Sequence, residues 1–262
     1  MLRSMYSGVS GMKNFQTKLD VIGNNISNAN TIGYKKSTIN FQDLLSQNLS
    51  DSGANTMQVG LGSTIAAINV QHTPGSIMTT GVGTDLSIMG DGFFVVQDPE
   101  AQGQEGRFLT RAGNFTTDAN GFLVTAQGYN VLDSDGNALQ IDPTVYDSFT
   151  INRQGQVMGK QPDGTEVPEG FIGISTPANP AGLRKFGGSL YEMTGKAGGD
   201  VIVINTPANQ NTEIGSGQLE MSNVDLTEEF TELIIAQRGF QANSRTITTS
   251  DEILQEVVNL KR

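Results

Sequence analysis

The feature that most constrains the fold is a heptad pattern near the C-terminal end of the sequence. One of its two seam positions is apolar in every repeat: Leu226, Leu233, Phe240, Ile247 and Leu254. A seam sustained over this distance predicts an amphipathic helix that packs against other helices along its length. A helix of about 35 residues is about 52 Å long, longer than the width of about 35–40 Å expected for a compact domain of this size. The helix therefore has to protrude from its domain or meet other chains.

The second seam position is more polar, and the apolar stripe broadens around it. The residues at this position are Phe230, Gln237, Ser244, Asp251 and Val258. Further apolar residues flank the seam at Ile234, Ile235, Ile253, Val257 and Leu260. This width indicates that more than one partner helix can be engaged.

Helix-end signals flank the segment. Asp225 or Thr227 can cap its start by accepting hydrogen bonds from free backbone amides. The first turns are acidic and the last residues are basic, as the helix dipole favours. These charged residues are Glu228, Glu229, Glu232, Lys261 and Arg262.

The N-terminal end carries a second, weaker apolar stripe, which predicts a helix that ends near Ile26. The two stripes could pack as an internal hairpin on a globular core, but the length of the C-terminal helix favours contacts between chains. The residues expected to form this assembly interface are Leu2, Met5, Val9, Met12, Leu19, Ile26, Leu226, Phe230, Leu233, Phe240, Ile247, Leu254 and Val258.

The middle of the sequence reads as strands and turns. Asn120-Gly121 is the strongest hairpin signal. Two strand-like runs flank Gly90-Asp91-Gly92, and late strands are expected over 171–175 and 201–204. Residues 44–75 are expected to form an extended arm with a short strand near 65–70.

These patterns predict an α+β fold, in which long terminal helices form a coiled-coil layer and flank a central all-β domain. The helical domain is expected to comprise residues 1–28 and 225–262. An extended connector is expected over 29–75 and 205–224, and a β-rich outer domain over 76–204.

Composition excludes several classes of function. The 27 acidic residues outnumber the 16 basic ones, and the net charge of −11 offers no general attraction to nucleic acid or to anionic membranes. No apolar run is long enough for membrane insertion, and the N-terminus lacks the apolar core of a cleaved secretory signal. The absence of cysteine excludes disulfides, thiolate metal ligands and a cysteine nucleophile.

Catalytic, cofactor and metal motifs fail on count or spacing, so the sequence predicts no residue for any of these roles and no enzyme. His72 is the only histidine and is expected to be an ordinary loop residue. The run from Asp133 to Asn137 lacks the glycine and glutamate positions of a calcium loop and reads as a β-turn. Lys35 and Lys36 are expected to lie on a solvated face.

Several blocks of the sequence resemble the bacterial flagellar axial proteins, the rod, hook and hook-associated family. The longest is LDVIGNNISNANTIGYK over 19–35, which contains the signature residues Asn24, Asn25, Asn28, Gly33 and Tyr34. The asparagines can end the first helix and turn the chain, and Gly33 lets it bend. Further blocks lie over 85–94, 110–124, 222–226 and 236–244.

This resemblance implies a motility protein of the flagellar hook or basal-body rod. It is expected to leave the cytoplasm by type III export without a cleaved signal peptide. It is expected to polymerise into a hollow helical tube that transmits motor torque, without a cofactor. Implied partners are further copies of itself, neighbouring rod, hook and hook-junction proteins, the export apparatus and the hook cap.

Within the family, the sequence leaves two assignments open. The blocks at 223–226 and 259–262 are more similar to the hook, the universal joint, whereas a length of 262 residues is typical of the distal rod, the drive shaft. The hook is the expectation and the distal rod the alternative. A β-rich binding module with helical oligomerisation ends is a remote further alternative, which the low aromatic content of 6% disfavours.

Overall fold

The computed structural model describes residues 2–50, 57–101, 103–104, 106–142, 145–199, 201–210 and 212–260. The chain divides into two compact units. The first unit comprises Met1–Asn28, Lys36–Gln71 and Val224–Arg262, and the second comprises Ala29–Lys35 and His72–Asn223. Two helices and a mostly β central region confirm the α+β class. The coiled-coil layer and the three domain boundaries expected from the sequence remain predictions.

The first unit contains both helices, α1 (Leu2–Ser27) and α2 (Leu226–Asn259). The 34 residues of α2 confirm the long helix that the heptad pattern predicts. Within the described part of the chain, neither helix combines the length and hydropathy that a bilayer crossing requires.

The helices run antiparallel and approach closely at glycines. A Cβ atom placed on Gly8 would lie 3.2 Å from Cγ1 of Ile247, and one placed on Gly239 would lie 2.5 Å from the ring of Phe15. Residue numbers increase along α1 as the numbers of the α2 residues that they face decrease, so the two helices run in opposite directions. Close backbone approach is therefore what these glycines permit.

A β-ribbon completes the first unit. Strand β1 (Ser37–Asp43) pairs with β4 (Ser63–Val70), and β2 (Ser46–Ser50) pairs with β3 (Met57–Gly60). The expected strand near 65–70 is confirmed and is longer than predicted. The ribbon contacts α1 through a hydrogen bond of 2.9 Å from Asn14 Nδ2 to Ser63 Oγ. The part of the predicted arm over 51–56 lies outside the described residues.

The second unit is built from antiparallel strands. They are β5 (Ile77–Thr79), β6 (Leu86–Met89), β7 (Phe93–Gln97), β8 (Arg107–Thr110), β9 (Phe115–Thr117), β10 (Leu123–Thr125), β11 (Asn130–Val131), β12 (Ser148–Ile151), β13 (Gln156–Lys160), β14 (Glu166–Phe171), β15 (Ile174–Ser175), β16 (Arg184–Gly187), β17 (Leu190–Glu192), β18 (Glu213–Ser216) and β19 (Gln218–Glu220). The main sheet has the order β16-β17-β8-β7-β11-β10-β9, with β15 also paired to β7. Smaller sheets are β12-β13-β14, β18-β6 and β19-β5.

Local turn chemistry predicts parts of this unit well. Strands β9 and β10 form the hairpin expected at Asn120-Gly121, and Gly121 adopts a φ of 81°. The predicted turn after Asp133 is also confirmed, since the Gly136 amide donates to the Asp133 carbonyl at 2.9 Å. The runs around Gly90-Asp91-Gly92 become β6 and β7.

The late strands are predicted less well. The strand expected over 171–175 is interrupted between β14 and β15. The strand expected over 201–204 is wrong, because this segment forms no ladder within the described residues. Val201 and Val203 are exposed while Ile202 is buried, so the alternation that suggested a strand reflects an extended segment lying on the core.

Candidate assembly surface and buried charge cluster

The predicted interface residues of α2 divide into two groups by exposure. Leu226, Phe230 and Val258 are 43%, 51% and 66% exposed. The remaining predicted residues of this helix are partly buried: Leu233, Phe240, Ile247 and Leu254. A Cβ atom placed on Gly8 would lie 3.2 Å from Cγ1 of Ile247, so this side chain packs over Gly8 of its own chain. Part of the seam is therefore used by the intramolecular helix pair, and the assembly role of all these residues remains a prediction.

The predicted residues of α1 divide in the same way. Val9 is half-exposed, and the nearby Tyr6 is more exposed still. The others whose side chains are described are partly buried: Met5, Met12, Leu19 and Ile26. The side chain of Leu2 lies outside the description.

The exposed apolar residues of α2, together with its C-cap residue Leu260, form two groups. The first α2 patch consists of Leu226, Phe230, Ile234 and Ile235, and the second α2 patch of Ile253, Val257, Val258 and Leu260. Exposed polar residues lie between them, including Gln241, Arg245 and Thr249. The two patches are centred about 40 Å apart along the helix at 1.5 Å per residue.

The face of α2 that packs against α1 carries polar or small side chains at one heptad position, which we call the polar seam. Sequence reasoning missed this position. Every seventh residue from 229 lies on it: Glu229, Ala236, Asn243 and Ser250. Glu229, Ala236 and Ser250 are buried, and Asn243 lies against Gly11. Apolar periodicity cannot reveal such a seam. The signal that could have found it is a shared spacing of small residues, because Gly8 and Gly11 in α1 are three residues apart, as are Ala236 and Gly239 in α2.

The signature residue Asn25 occupies this polar seam. Its Nδ2 atom donates to the Ser37 carbonyl at 2.9 Å and to Oε2 of Glu229 at 3.1 Å. Its Oδ1 atom accepts from the Ser37 amide at 3.0 Å. The side chain is 1% exposed. Asn25 therefore joins the end of α1, the start of β1 and the first turn of α2.

Two other signature asparagines end α1, as expected. The Asn28 side chain donates to the Asn24 carbonyl at 2.8 Å and to Asn24 Oδ1 at 3.0 Å. The Asn28 amide donates to the Asn24 carbonyl at 3.2 Å. These bonds satisfy carbonyl groups that the end of the helix leaves free.

The start of α2 is capped by Asp225, and the alternative of Thr227 as the cap is wrong. The Asp225 carboxylate accepts from the amides of Thr227 and Glu228. These backbone hydrogen bonds lower the pKa of Asp225. The acidic first turns also bind basic partners, since Lys36 donates to Glu228 and Lys18 to Glu232. Lys261 and Arg262 lie outside the described residues.

The second unit contains a buried charge cluster formed by Lys35, Arg111 and Glu220. The expectation of a solvated Lys35 is wrong, because its side chain is 0% exposed. Its Nζ atom donates to Oε1 of Glu220 at 2.6 Å and to the Thr73 carbonyl at 2.7 Å. Burial lowers the pKa of Lys35, and the Glu220 carboxylate opposes that shift. A buried lysine is tolerated only with such partners.

Glu220 is the single anion of the cluster. Its Oε1 atom accepts from the Gly75 amide at 3.0 Å as well as from Lys35. Its Oε2 atom accepts from Nη1 of Arg111 at 3.2 Å. The Glu220 carbonyl accepts from the Gly33 amide at 2.8 Å. Glu220 therefore binds several separate segments of the chain, through both oxygens of its carboxylate and through its backbone carbonyl.

The signature residues Gly33 and Tyr34 lie beside this cluster. Gly33 has a φ of 67°, and a Cβ atom there would lie 2.5 Å from the Ala112 amide nitrogen. The expected bend is confirmed, and glycine is required by conformation and by space. Nζ of Lys185 lies 4.8 Å from the centroid of the Tyr34 ring, a cation–π contact.

His72 lies in a loop, as expected, and its ring packs against Phe93 and Tyr191 at centroid distances of 5.6 Å. Burial, reinforced by the positive charges of Lys35, Arg111 and Lys185, lowers the pKa of His72 to about 4. The ring is therefore neutral at pH 7. The cluster has the features of a structural charge network, with no nucleophile and base placed for catalysis among the described residues.

Three segments of the chain match known families. Residues 5–35 match the family described as "Flagella basal body rod protein", and residues 87–159 match "Flagellar hook protein FlgE/F/G D1 domain". Residues 216–260 match "Flagellar basal body rod FlgEFG protein C-terminal". The first match covers most of α1 and also contains Asn25, Gly33 and Lys35, and the third match covers all of α2.

Curated relatives match along the whole chain. The flagellar basal-body rod protein FlgG of Bacillus subtilis is 50% identical over 271 residues, with all of both chains covered. The rod protein FlgG of Borreliella burgdorferi is 38% identical over 276 residues, again with full coverage. The hook protein FlgE of the same Borreliella species is 26% identical over 447 residues, also with full coverage.

Proposed function

Because the chain belongs to the family of flagellar basal-body rod and hook proteins, we propose that it is the distal rod subunit of the basal body. The family is structural, so the protein is an axial component of the bacterial flagellum and not an enzyme. Membership also implies self-assembly and contact with neighbouring axial proteins.

The observation that carries the rod assignment is the length of the alignments. The rod proteins align with this chain over 271 and 276 positions, close to its own 262 residues. The hook protein needs 447 positions, so it contains long stretches without a counterpart here. The hook preferred from the short blocks at 223–226 and 259–262 is therefore the weaker assignment.

The two α2 patches support assembly through the terminal helices. Burying a large apolar side chain contributes about 1.5–3 kcal/mol, and the patches together leave eight such side chains exposed, seven in α2 and one at its C-cap. In our proposal, copies of the helical unit bury these patches against each other in an inner layer of the tube. The β unit then forms the outer layer.

The ribbon of the first unit supports a stiff shaft over a flexible joint. Its strands β1 to β4 pair in two ladders, so the described part of the predicted arm is a paired ribbon. Apolar side chains such as Leu45 and Ile68 are exposed on it. In our proposal, the ribbon braces neighbouring subunits. The proposal also retains type III export, with the export apparatus, the hook cap and the hook and hook-junction proteins as partners.

Electron microscopy of basal bodies from a strain lacking the gene tests the assignment. A distal rod subunit predicts basal bodies with a truncated rod and no hook, and a plasmid copy of the gene restores both. A complete rod that lacks only the hook would contradict the distal rod assignment and favour the hook. Immunogold labelling of an epitope in the exposed loop at 163–164 should mark the rod in the complemented strain.

A further inference from the structure

Three segments of the second unit connect it to the first unit, and the chain makes four crossings between the units. The chain crosses between units after residues 28, 35, 71 and 223. Residues 29–35 connect to the first unit at both ends, residue 72 starts the long β segment, and residue 223 ends it. Any force carried by the chain from one unit to the other must pass through these segments.

Backbone and side-chain hydrogen bonds join the three segments inside the second unit. The Gly33 amide donates to the Glu220 carbonyl at 2.8 Å, and the Met221 amide donates to the Ser76 carbonyl at 2.8 Å. The Asn223 side chain donates to Oγ1 of Thr73 at 2.9 Å. These contacts bring residues 33–35, 73–76 and 220–223 side by side.

The Glu220 carboxylate, which belongs to the third segment, binds the other two segments and the main body of the unit. Through Oε1 it holds Lys35 from the first segment and the Gly75 amide from the second. Through Oε2 it holds Arg111, whose Nη2 atom donates to the Gly90 carbonyl at 2.9 Å in the main body of the unit. The side chains of Glu220 and Lys35 are 2% and 0% exposed, so solvent does not screen their attraction.

We propose that Glu220 is a positioning residue that holds the exit segments 33–35, 73–76 and 220–223 together and anchors them to the body of the β unit through Arg111. Force that passes along the chain between the units then crosses this cluster. The holding role does not depend on the proposed function. The force-carrying role rests on the rod assignment.

Amide hydrogen exchange on the purified full-length chain tests the holding role. Glu220→Gln keeps the side-chain shape but leaves two buried cations without their anion. We expect the Gly33, Gly75 and Asn223 amides to exchange at least about tenfold faster, because local opening no longer breaks charged hydrogen bonds. Amides in β7 and β8, such as those of Val95 and Leu109, should keep their wild-type rates.

Two further variants keep the test decisive. Glu192→Gln, which removes the exposed ion pair with Arg184 in the same unit, is the matched control and should leave every rate unchanged. Lys35→Met combined with Glu220→Gln removes one charge of each sign, so it tests the holding role of Glu220 even where Glu220→Gln alone fails to fold. This double variant should show the same local acceleration at Gly33 and Gly75.

Several results would overturn the holding role. These are unchanged rates at Gly33 and Gly75, equal acceleration throughout the second unit, or failure of both Glu220 variants to fold. The last two would make the cluster part of general core stability.

Swimming under load tests the force-carrying role. Cells with Glu220→Gln should assemble rods, but the swimming fraction should fall about twofold or more relative to Glu192→Gln cells when medium viscosity is raised. Equal swimming by both strains would overturn this role even if the exchange result holds. Failure of the rod assignment would show separately, as a complete rod in the deletion strain.

Discussion

The two units of this chain are stabilised in different ways. The second unit has an apolar core that includes Phe94, Val96, Phe115 and Leu123. In the first unit, the buried hydrophobic residues among those described are Ile22 and Ala236, and the other buried side chains are polar: Asn14, Asn25, Glu229 and Ser250. The first unit instead leaves large apolar side chains exposed along α2. The β unit therefore buries an apolar core of its own, and the exposed apolar side chains of α2 motivate our proposal that other chains complete the helical unit.

The two units also differ in net charge, and this difference too favours contacts between copies of the first unit. The second unit carries eight basic and seventeen acidic residues, a formal charge of −9, whereas the first carries eight and ten, a charge of −2. Like charge opposes close contact between copies of the second unit, while near-neutrality permits contact between copies of the first. Assembly through the helices therefore agrees with both the apolar surface and the charge.

Removal of a core side chain from the second unit should have the largest effect on stability. Phe94 is fully buried and its ring packs against Phe115 at 5.2 Å. Phe94→Ala should lower the free energy of unfolding of this unit by about 3–5 kcal/mol, because it creates a cavity. Denaturant unfolding followed by a probe in the β unit measures this. Phe186→Ala, at an exposed position, is the control and should cost about 1 kcal/mol or less. Equal losses would contradict a self-contained core.

In the first unit, the polar seam should matter more than any single apolar contact. Asn25→Ala removes the bonds to Ser37 and Glu229 and leaves a buried carboxylate without that donor. We expect a loss of about 2–3 kcal/mol in the stability of the helix pair, measured by helical circular dichroism during unfolding. Asn24→Ala, at an exposed position, should cost about 0.5 kcal/mol. An Asn25 variant as stable as the wild type would show that the polar seam does not stabilise the helix pair.

Mild acid, between pH 6.5 and 4, should destabilise the second unit through His72. The pKa of His72 is about 4 in the folded protein and about 6.5 in the unfolded chain. Between these pH values, His72 binds a proton in the unfolded chain but not in the folded protein. The contribution of His72 to stability is therefore fully present above pH 6.5 and is lost as the pH falls toward 4. The expected loss is about 2 kcal/mol, less than the full linkage value because the ring is only partly buried. Lys35, Arg111 and Lys185 disfavour the charged ring.

Equilibrium unfolding at a series of pH values measures this loss. Since His72 is the only histidine, His72→Phe should flatten the stability profile between pH 6.5 and 5 while the ring still packs between Phe93 and Tyr191. An unchanged slope in this variant would assign the effect to carboxylates.

A change on the first α2 patch should have the smallest effect on the stability of the monomer but should prevent assembly. Phe230→Asp alters an exposed side chain, so its effect on unfolding should stay within about 0.5 kcal/mol. Rods should not form, as judged by sedimentation and electron microscopy. Gln241→Asp lies between the patches and should assemble normally. Normal rods from Phe230→Asp would contradict assembly through this patch. Phe240→Asp is a less direct test, because Phe240 is already partly buried within the chain.

Local patterns predicted a substantial part of the fold, and long-range pairing explains the remainder. The heptad predicts the extent of α2, the capping signals place its start at Asp225 or Thr227, and Asn120-Gly121 predicts a hairpin. The burial of Lys35 could not be predicted, because its carboxylate partner is 185 residues away in sequence. The polar seam was missed because Glu229 resembles a dipole-stabilising residue until Asn25 is placed beside it. The segment 201–204 has strand-like residues but pairs with no strand among the residues that the structure describes, and pairing is what defines a strand.

Hydrogen exchange compared between the monomer and assembled rods tests most directly whether the helical unit is completed by other chains. The amides of α2 around Phe230 and Val257 should be weakly protected in the monomer and strongly protected in rods. The amides of β7 should be equally protected in both states. Full protection of α2 in the monomer, unchanged on assembly, would contradict the completion of this unit between subunits.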